Sequence, residues 1–96
     1  MIDLIVSSAA EGDYADALSW YAERSVHAAE RFDADFDKAL MAIASDPERF
    51  PQCDERHHFY LMRYFPYQVI YRQHGRHWVV IAVSHTARKP RSWSDR

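Results

Sequence analysis

One cysteine, Cys53, is all the thiol chemistry this chain has. That excludes an internal disulfide and a zinc cage built on cysteines. No run approaches the ~20 apolar residues a membrane-spanning helix needs. The first residues lack the basic start and long apolar core of a signal peptide, so a reducing cytoplasm is the expected compartment. There are only two glycines, no internal repeat and no low-complexity tract. Lysine is scarce too: ten of the twelve basic residues are arginine, and only Lys38 and Lys89 are not. Guanidinium suits two-pronged contacts with phosphate or carboxylate better than ammonium does.

What is present, 96 residues, is enough for a single domain, 1–96, with a modest core. Charge is divided along it. Residues 1–48 hold three basic residues (Arg24, Arg31, Lys38) and eleven acidic ones. Residues 49–96 hold nine basic and three acidic ones (Asp54, Glu55, Asp95). The split predicts an acidic surface on one element and an anion-facing surface on another. A solvated basic face without a ligand would carry the same charge, so charge alone names no partner. Aromatic residues make up 15% of the chain, and sequence alone does not say whether they fill the core or bind something.

Residues 2–7 (IDLIVS) are short and β-branched and read as a strand buried on both faces. Ser8-Ala-Ala-Glu11 has the form of a capping box, so a helix is expected to start there. Ala10, Tyr14, Ala17, Leu18 and Tyr21 form its buried stripe, with Trp20 toward the edge. The pattern breaks at Arg24–Val26, where Ser25 is the expected cap of a second helix. Ala29, Phe32, Phe36, Leu40 and Ile43 form the buried face of that helix. Glu30, Asp33, Asp35 and Asp37 are expected to point mostly away, and Pro47 stops it. The short break makes the two an antiparallel helical hairpin.

Residues 47–56 read as a loop, with Phe50 tucked back on the core. From Phe59 the period becomes that of a strand. Phe59, Leu61, Arg63 and Phe65 are expected on one side, with Tyr60, Met62 and Tyr64 on the other, until Pro66 ends or bends it. Tyr67–Arg72 reads as the next strand, 73–76 as a hairpin turn around Gly75, and His77–His85 as the last. That last strand is apolar on both faces: Val79, Ile81 and Val83 on one, Trp78, Val80 and Ala82 on the other. It must be central and covered on both sides. Two helices cover only one face of a small sheet, so a loop, the tail or another protein must cover the other. The expected class is α+β, a small, mainly antiparallel twisted sheet with a helical hairpin on one face. The first strand joins as an edge or inserted strand.

The order strand, helix, helix, strand, strand, strand resembles the RelE/ParE superfamily of bacterial type II toxins, or plasmid stabilisation proteins. So do Arg63-Tyr-Phe-Pro-Tyr67 running into Val69-Ile-Tyr71, and Ile81-Ala-Val-Ser-His85 followed by Arg88-Lys-Pro-Arg-Ser-Trp93. Ala17, Trp20-Tyr21, Phe32, Pro47 and Phe50-Pro51 also fit the family pattern, and the resemblance covers nearly the whole chain. It implies a toxin neutralised by a cognate antitoxin encoded beside it, which wraps an extended or helical segment around the toxin. A toxin–antitoxin hetero-oligomer follows.

The resemblance implies two mechanisms that fold alone does not separate. RelE-like members cleave mRNA on the ribosome, using a base, an acid and cations around the scissile phosphate. ParE-like members poison DNA gyrase. For a nuclease, the catalytic candidates are His85 as acid or base, with Arg63 and Arg88 on phosphate, and Arg72 as a further phosphate group. RelE proper relies instead on lysines in and before its second strand and on a tail tyrosine. This chain has no tyrosine after Tyr71, and the tail position falls near Trp93, which is neither acid nor base. For a gyrase-binding toxin, the target surface is Arg56, Arg72, Arg88, Lys89, Arg91, Trp93 and Arg96, an arginine and tryptophan cluster suited to an interface. Trp93 could equally fold back over the open sheet. His57 and His58 are adjacent, and His74 and His77 flank a turn, so no converging metal set is expected and no cofactor. The missing lysines and tail tyrosine favour the ParE-like branch. A ribosome-dependent endoribonuclease is the alternative, and an inactive relative acting as a binding module the second.

Overall fold

The computed structural model describes residues 1–87 and 93–96. Its elements are β1 (Leu4–Val6), α1 (Ser8–Ala22), α2 (Val26–Ser45), β2 (His58–Leu61), β3 (Tyr67–His74) and β4 (His77–His85). The sheet order is β1-β4-β3-β2. β1 lies parallel to β4, and the other neighbours are antiparallel. The expected class and order are therefore present, with β4 central and β1 an edge. Among the described residues no helix is long and apolar enough to cross a membrane.

Local chemistry explains the boundaries. The cap of α1 is Ser7, one residue earlier than the capping box suggests, and its Oγ accepts from Ala10 N–H at 3.1 Å. The shift arises because Ser7 N–H is already bound to Val80 O at 2.9 Å, which keeps Ser7 extended as the last pairing residue before the helix. Ser25 caps α2 as expected, accepting from Ala28 N–H at 3.2 Å. In the β3–β4 hairpin only Gly75 and Arg76 separate the strands, and Gly75 takes φ +60°, a conformation open to glycine.

The helices pack on one face of the sheet, and aromatic rings fill the space between. Phe32 lies at the centre. It stacks with Tyr14 and Tyr21 from α1 and meets Phe65 and Tyr67 edge-on, with centroids 5.2–5.8 Å apart. Tyr14 also donates from its hydroxyl to Asp33, tying α1 to α2. Burial, and then the Asp33 carboxylate, push the Tyr14 phenol well above its ordinary value. Tyr71 is fully buried and donates to Pro47 O at 2.6 Å, which fixes the loop behind α2. Most of the aromatic share is thus core.

Two strand expectations are corrected. β2 stops at Leu61 rather than running to Phe65, because Met62 N–H pairs with Tyr67 O and closes a tight turn through residues 63–66. Phe65 consequently joins the helix-side core, away from Phe59. In β4 the alternation breaks: Trp78, Val80 and Val83 face the helices, while Val79, Ile81 and Ala82 face away. The pairing Ile70↔Ala82 followed by Tyr71↔Val80 leaves Ile81 as an extra residue, a β-bulge that exchanges the faces of Ala82 and Val83.

The second face is closed by the chain itself. Trp93 is only 3% exposed and packs with Ile70, Ile81 and Ala82, flanked by Cys53, Phe59 and Val79. Of the three covers the sequence left open, the structure uses the tail and a loop.

Candidate functional site

The sequence-derived site residues are dispersed. His85, at the end of β4, faces a 290 Å³ cavity shared with Asp13, Asp16, Trp20 and Tyr67. Its ring meets Tyr67 edge-on at 5.0 Å. Its Nδ1 accepts from Ala87 N–H at 3.1 Å, so the neutral ring carries its proton on Nε2. In this tautomer the ring's one remaining polar atom is a donor, which suits an acid rather than a base. The charged side chains lining the cavity are Asp16 and Asp13, the latter paired with Arg96 at 2.7 Å. Arg63 lies elsewhere, exposed just past β2 beside a different cavity. The structure does not bring His85 and Arg63 together.

Arg72 and Arg96 do converge. Both border a 290 Å³ cavity beside Val79 and the start of α1, on the face away from the helices. Arg72 Nε donates to Arg96 O at 3.3 Å. Arg96 Nη1 donates to Asp13 Oδ2 at 2.7 Å and to Ile81 O at 3.1 Å. Asp13 Oδ2 also accepts from Val83 N–H at 3.1 Å. These bonds sit at the bulge. β1 ends at Val6, so the outward backbone groups of Ile81 and Val83 have no strand beside them, and Arg96 and Asp13 take its place. Arg96 is therefore a structural clasp as well as a surface cation.

Arg56 is exposed just before β2, at the same hairpin end of the sheet as Arg72, bordering a 470 Å³ cavity with Glu48, Gln52, Glu55, His58, Gln73 and Trp78. Arg88, Lys89 and Arg91 lie outside the described residues. Trp93 is buried, 3% exposed, in the second of the two placements open to it: folded back over the sheet, where its ring finds more apolar contact than in solvent.

Two polar residues missed as site elements hold the framework. His57, fully buried, lies with its ring edge-on to Trp93 at a centroid distance of 5.0 Å. Its Nδ1 is 2.9 Å from both Asp54 oxygens. The Arg56 backbone N–H, and then the His57 side chain and N–H, hold the Asp54 carboxyl at about 2 against some desolvation. The folded-state pKa is thus below the unfolded value of about 3.9. The stability this gives is complete above that value and is lost as pH falls through the folded pKa. Asp54→Asn is expected to flatten the acid branch of the stability curve between about pH 4 and pH 2, measured as urea midpoints against pH. An unchanged slope would contradict the assignment. Asp35 is the second: α2 buries it to 5% exposure, against the expectation that it points away, and its Oδ2 accepts from Tyr64 N–H at 3.0 Å.

No group of three or more histidine, cysteine, aspartate or glutamate side chains among the described residues is arranged to hold a metal.

Two helices on a bulged four-stranded sheet, with the tail folded over its second face and arginines at its surface, define a small α+β protein. Residues 4–90 match the family described as ParE toxin of type II toxin-antitoxin system, parDE, and the chain belongs to that family. It is the toxin component of such a system. No curated protein matches it significantly in sequence. Among solved structures it resembles a chain of the chromosomal ParDE TA system from P. aeruginosa, with a TM-score of 0.77 at 12% identity, over 88% of this chain and 96% of that one. At that identity the likeness is one of fold.

Proposed function

We propose that this toxin acts in the cytoplasm by inhibiting DNA gyrase, without hydrolysing a substrate, and is neutralised by binding its antitoxin. Membership of the ParE toxin family over residues 4–90 carries the reading. The surroundings of His85 support it, since the charged side chains lining its cavity are those of Asp13 and Asp16. The target-binding surface is the cationic one: Arg72 and Arg96 on the tail side, continued in sequence by Arg88, Lys89 and Arg91, with Arg56 just before β2 at the same hairpin end of the sheet. Trp93 serves this surface from beneath, as the anchor that returns the tail to the sheet.

The test is induction without antitoxin in a bacterial host, with mRNA 5′ ends sequenced beside a chromosome-damage reporter. Early DNA damage with intact messages is expected. Codon-phased cleavage of translated mRNA without DNA damage would make the protein a ribosome-dependent nuclease instead. In the same host His85→Ala is expected to kill within about twofold of the parent, because the ring takes no part in the reaction. Lost killing with folding and antitoxin binding intact would return His85 to a catalytic role.

A further inference from the structure

Residues 93–96 are fastened at two points, and each has a built-in weakness. At one end Arg96 pairs with Asp13 at 2.7 Å, with both side chains partly open to solvent. An ion pair in that setting is screened and holds loosely. The other bonds of Arg96, to Ile81 O and from Arg72, are single hydrogen bonds of 3.1 and 3.3 Å. At the other end Trp93 covers Ile70, Ile81 and Ala82 and lies against the His57 ring, their centres 5.0 Å apart.

That seat is apolar except at His57, which is 1% exposed. Its Nδ1 is committed to Asp54, 2.9 Å from both carboxylate oxygens. Its Nε2 is buried and has no hydrogen-bond partner among the described residues. Such an atom costs free energy in either protonation state: as a lone pair it lacks a donor, and as N–H it lacks an acceptor. The cost is recovered only when water reaches the nitrogen. Lifting the indole exposes apolar carbon but hydrates Nε2. The two effects oppose, so this seat opens more easily than a wholly apolar one of the same area.

We propose that residues 93–96 form a strap that opens without unfolding the domain, with His57 as its weak point, and that opening presents Trp93 and Arg96 together to the target. Closed, the indole is 3% exposed and meets no partner protein. Open, it is a large aromatic ring beside a cation, the pairing that protein interfaces favour as an anchor. This last step rests on the gyrase reading; the strap itself does not.

The test is His57→Leu. Leucine has a similar volume, keeps the backbone N–H and removes the orphaned nitrogen. Asp54 is not stranded, because it still accepts from the backbone N–H groups of residues 56 and 57, each at 2.8 Å. The readout is hydrogen exchange of the Trp93 indole N–H, with the amides of the fully buried Val69 and Val80 reporting global unfolding. In the parent the indole is expected to exchange about tenfold faster than those amides, or more. His57→Leu is expected to slow it about tenfold, toward the core rate, with an unfolding midpoint no lower than the parent's. Asp13→Asn keeps an acceptor for Val83 N–H but removes the charge at the clasp, and is expected to speed it about threefold. An indole that exchanges only with the core in the parent, or at the parent's rate in both variants, would overturn the strap. So would a His57→Leu variant less stable than the parent. Against DNA gyrase, His57→Leu is expected to be about fivefold less inhibitory. Equal inhibition with a slowed indole would overturn opening as the route to the target. A parent that leaves gyrase unhindered would overturn the gyrase reading, and the exchange rates alone would then decide the strap.

Discussion

Trp93→Ala is expected to lower the unfolding free energy by about 3–5 kcal/mol, the range for truncating a buried large aromatic side chain. A domain of this size has only roughly 5–15 kcal/mol to lose. The effect is large because the second face has little else over it. Ile70, Ile81 and Ala82 form a small cluster whose described cover is Trp93, with Cys53, Phe59 and Val79 at the sides. Removing the indole exposes those side chains and strips the ring that lies against His57. Urea unfolding followed by circular dichroism reads the change, and Trp93→Phe should recover a good part of it. A loss below about 1 kcal/mol for the alanine variant would mean that the tail is not a structural member of the fold.

Asp35→Ala is expected to cost about 1–3 kcal/mol, the penalty of leaving a buried amide without its acceptor. The N–H is that of Tyr64, and it meets Asp35 Oδ2 at 3.0 Å. Asp35→Asn keeps an acceptor at the same place and should cost less than the alanine change. The same equilibrium unfolding experiment ranks the two. Equal losses would show that volume, not the hydrogen bond, is what α2 provides here.

Much of the fold could be read from the sequence because side-chain periodicity encodes it. Phe32, Phe36, Leu40 and Ile43 announce α2, Ser25 announces its start, and the doubly apolar β4 announces a central strand. The misses have physical causes. A strand apolar on both faces hides a bulge, so the exchange of Ala82 and Val83 left no trace in the pattern. The early end of β2 is set by one backbone bond, Met62 N–H to Tyr67 O, which no side chain signals. Asp35 looked like its acidic neighbours. Its position three residues after Phe32 and one before Phe36, on the flank of the apolar stripe, hinted that it turns inward.

The candidate site was less legible, for a related reason. Arginine and tryptophan in a tail read the same whether they face a partner or hold the chain to itself. The structure divides the cluster. Trp93 goes to the core, while Arg96 serves both ends, clasping Asp13 and Ile81 O and bordering the cavity beside Arg72. The clasp is needed because β1 is only three residues long, and that length was blurred in a sequence that reads as a strand from 2 to 7. His85 stands out in the sequence by its residue type and by its place at the end of the last strand. The structure gives it a hydrogen bond from Ala87 N–H and a cavity lined by Asp13 and Asp16, neither of which its residue type signals.

The most direct test of gyrase inhibition without hydrolysis is made with purified components: the toxin, with and without its antitoxin, added to DNA gyrase and relaxed plasmid. Supercoiling should fall, cleaved plasmid should accumulate, and antitoxin should prevent both. Gyrase that runs unhindered while the same toxin preparation cuts mRNA on ribosomes would contradict the account.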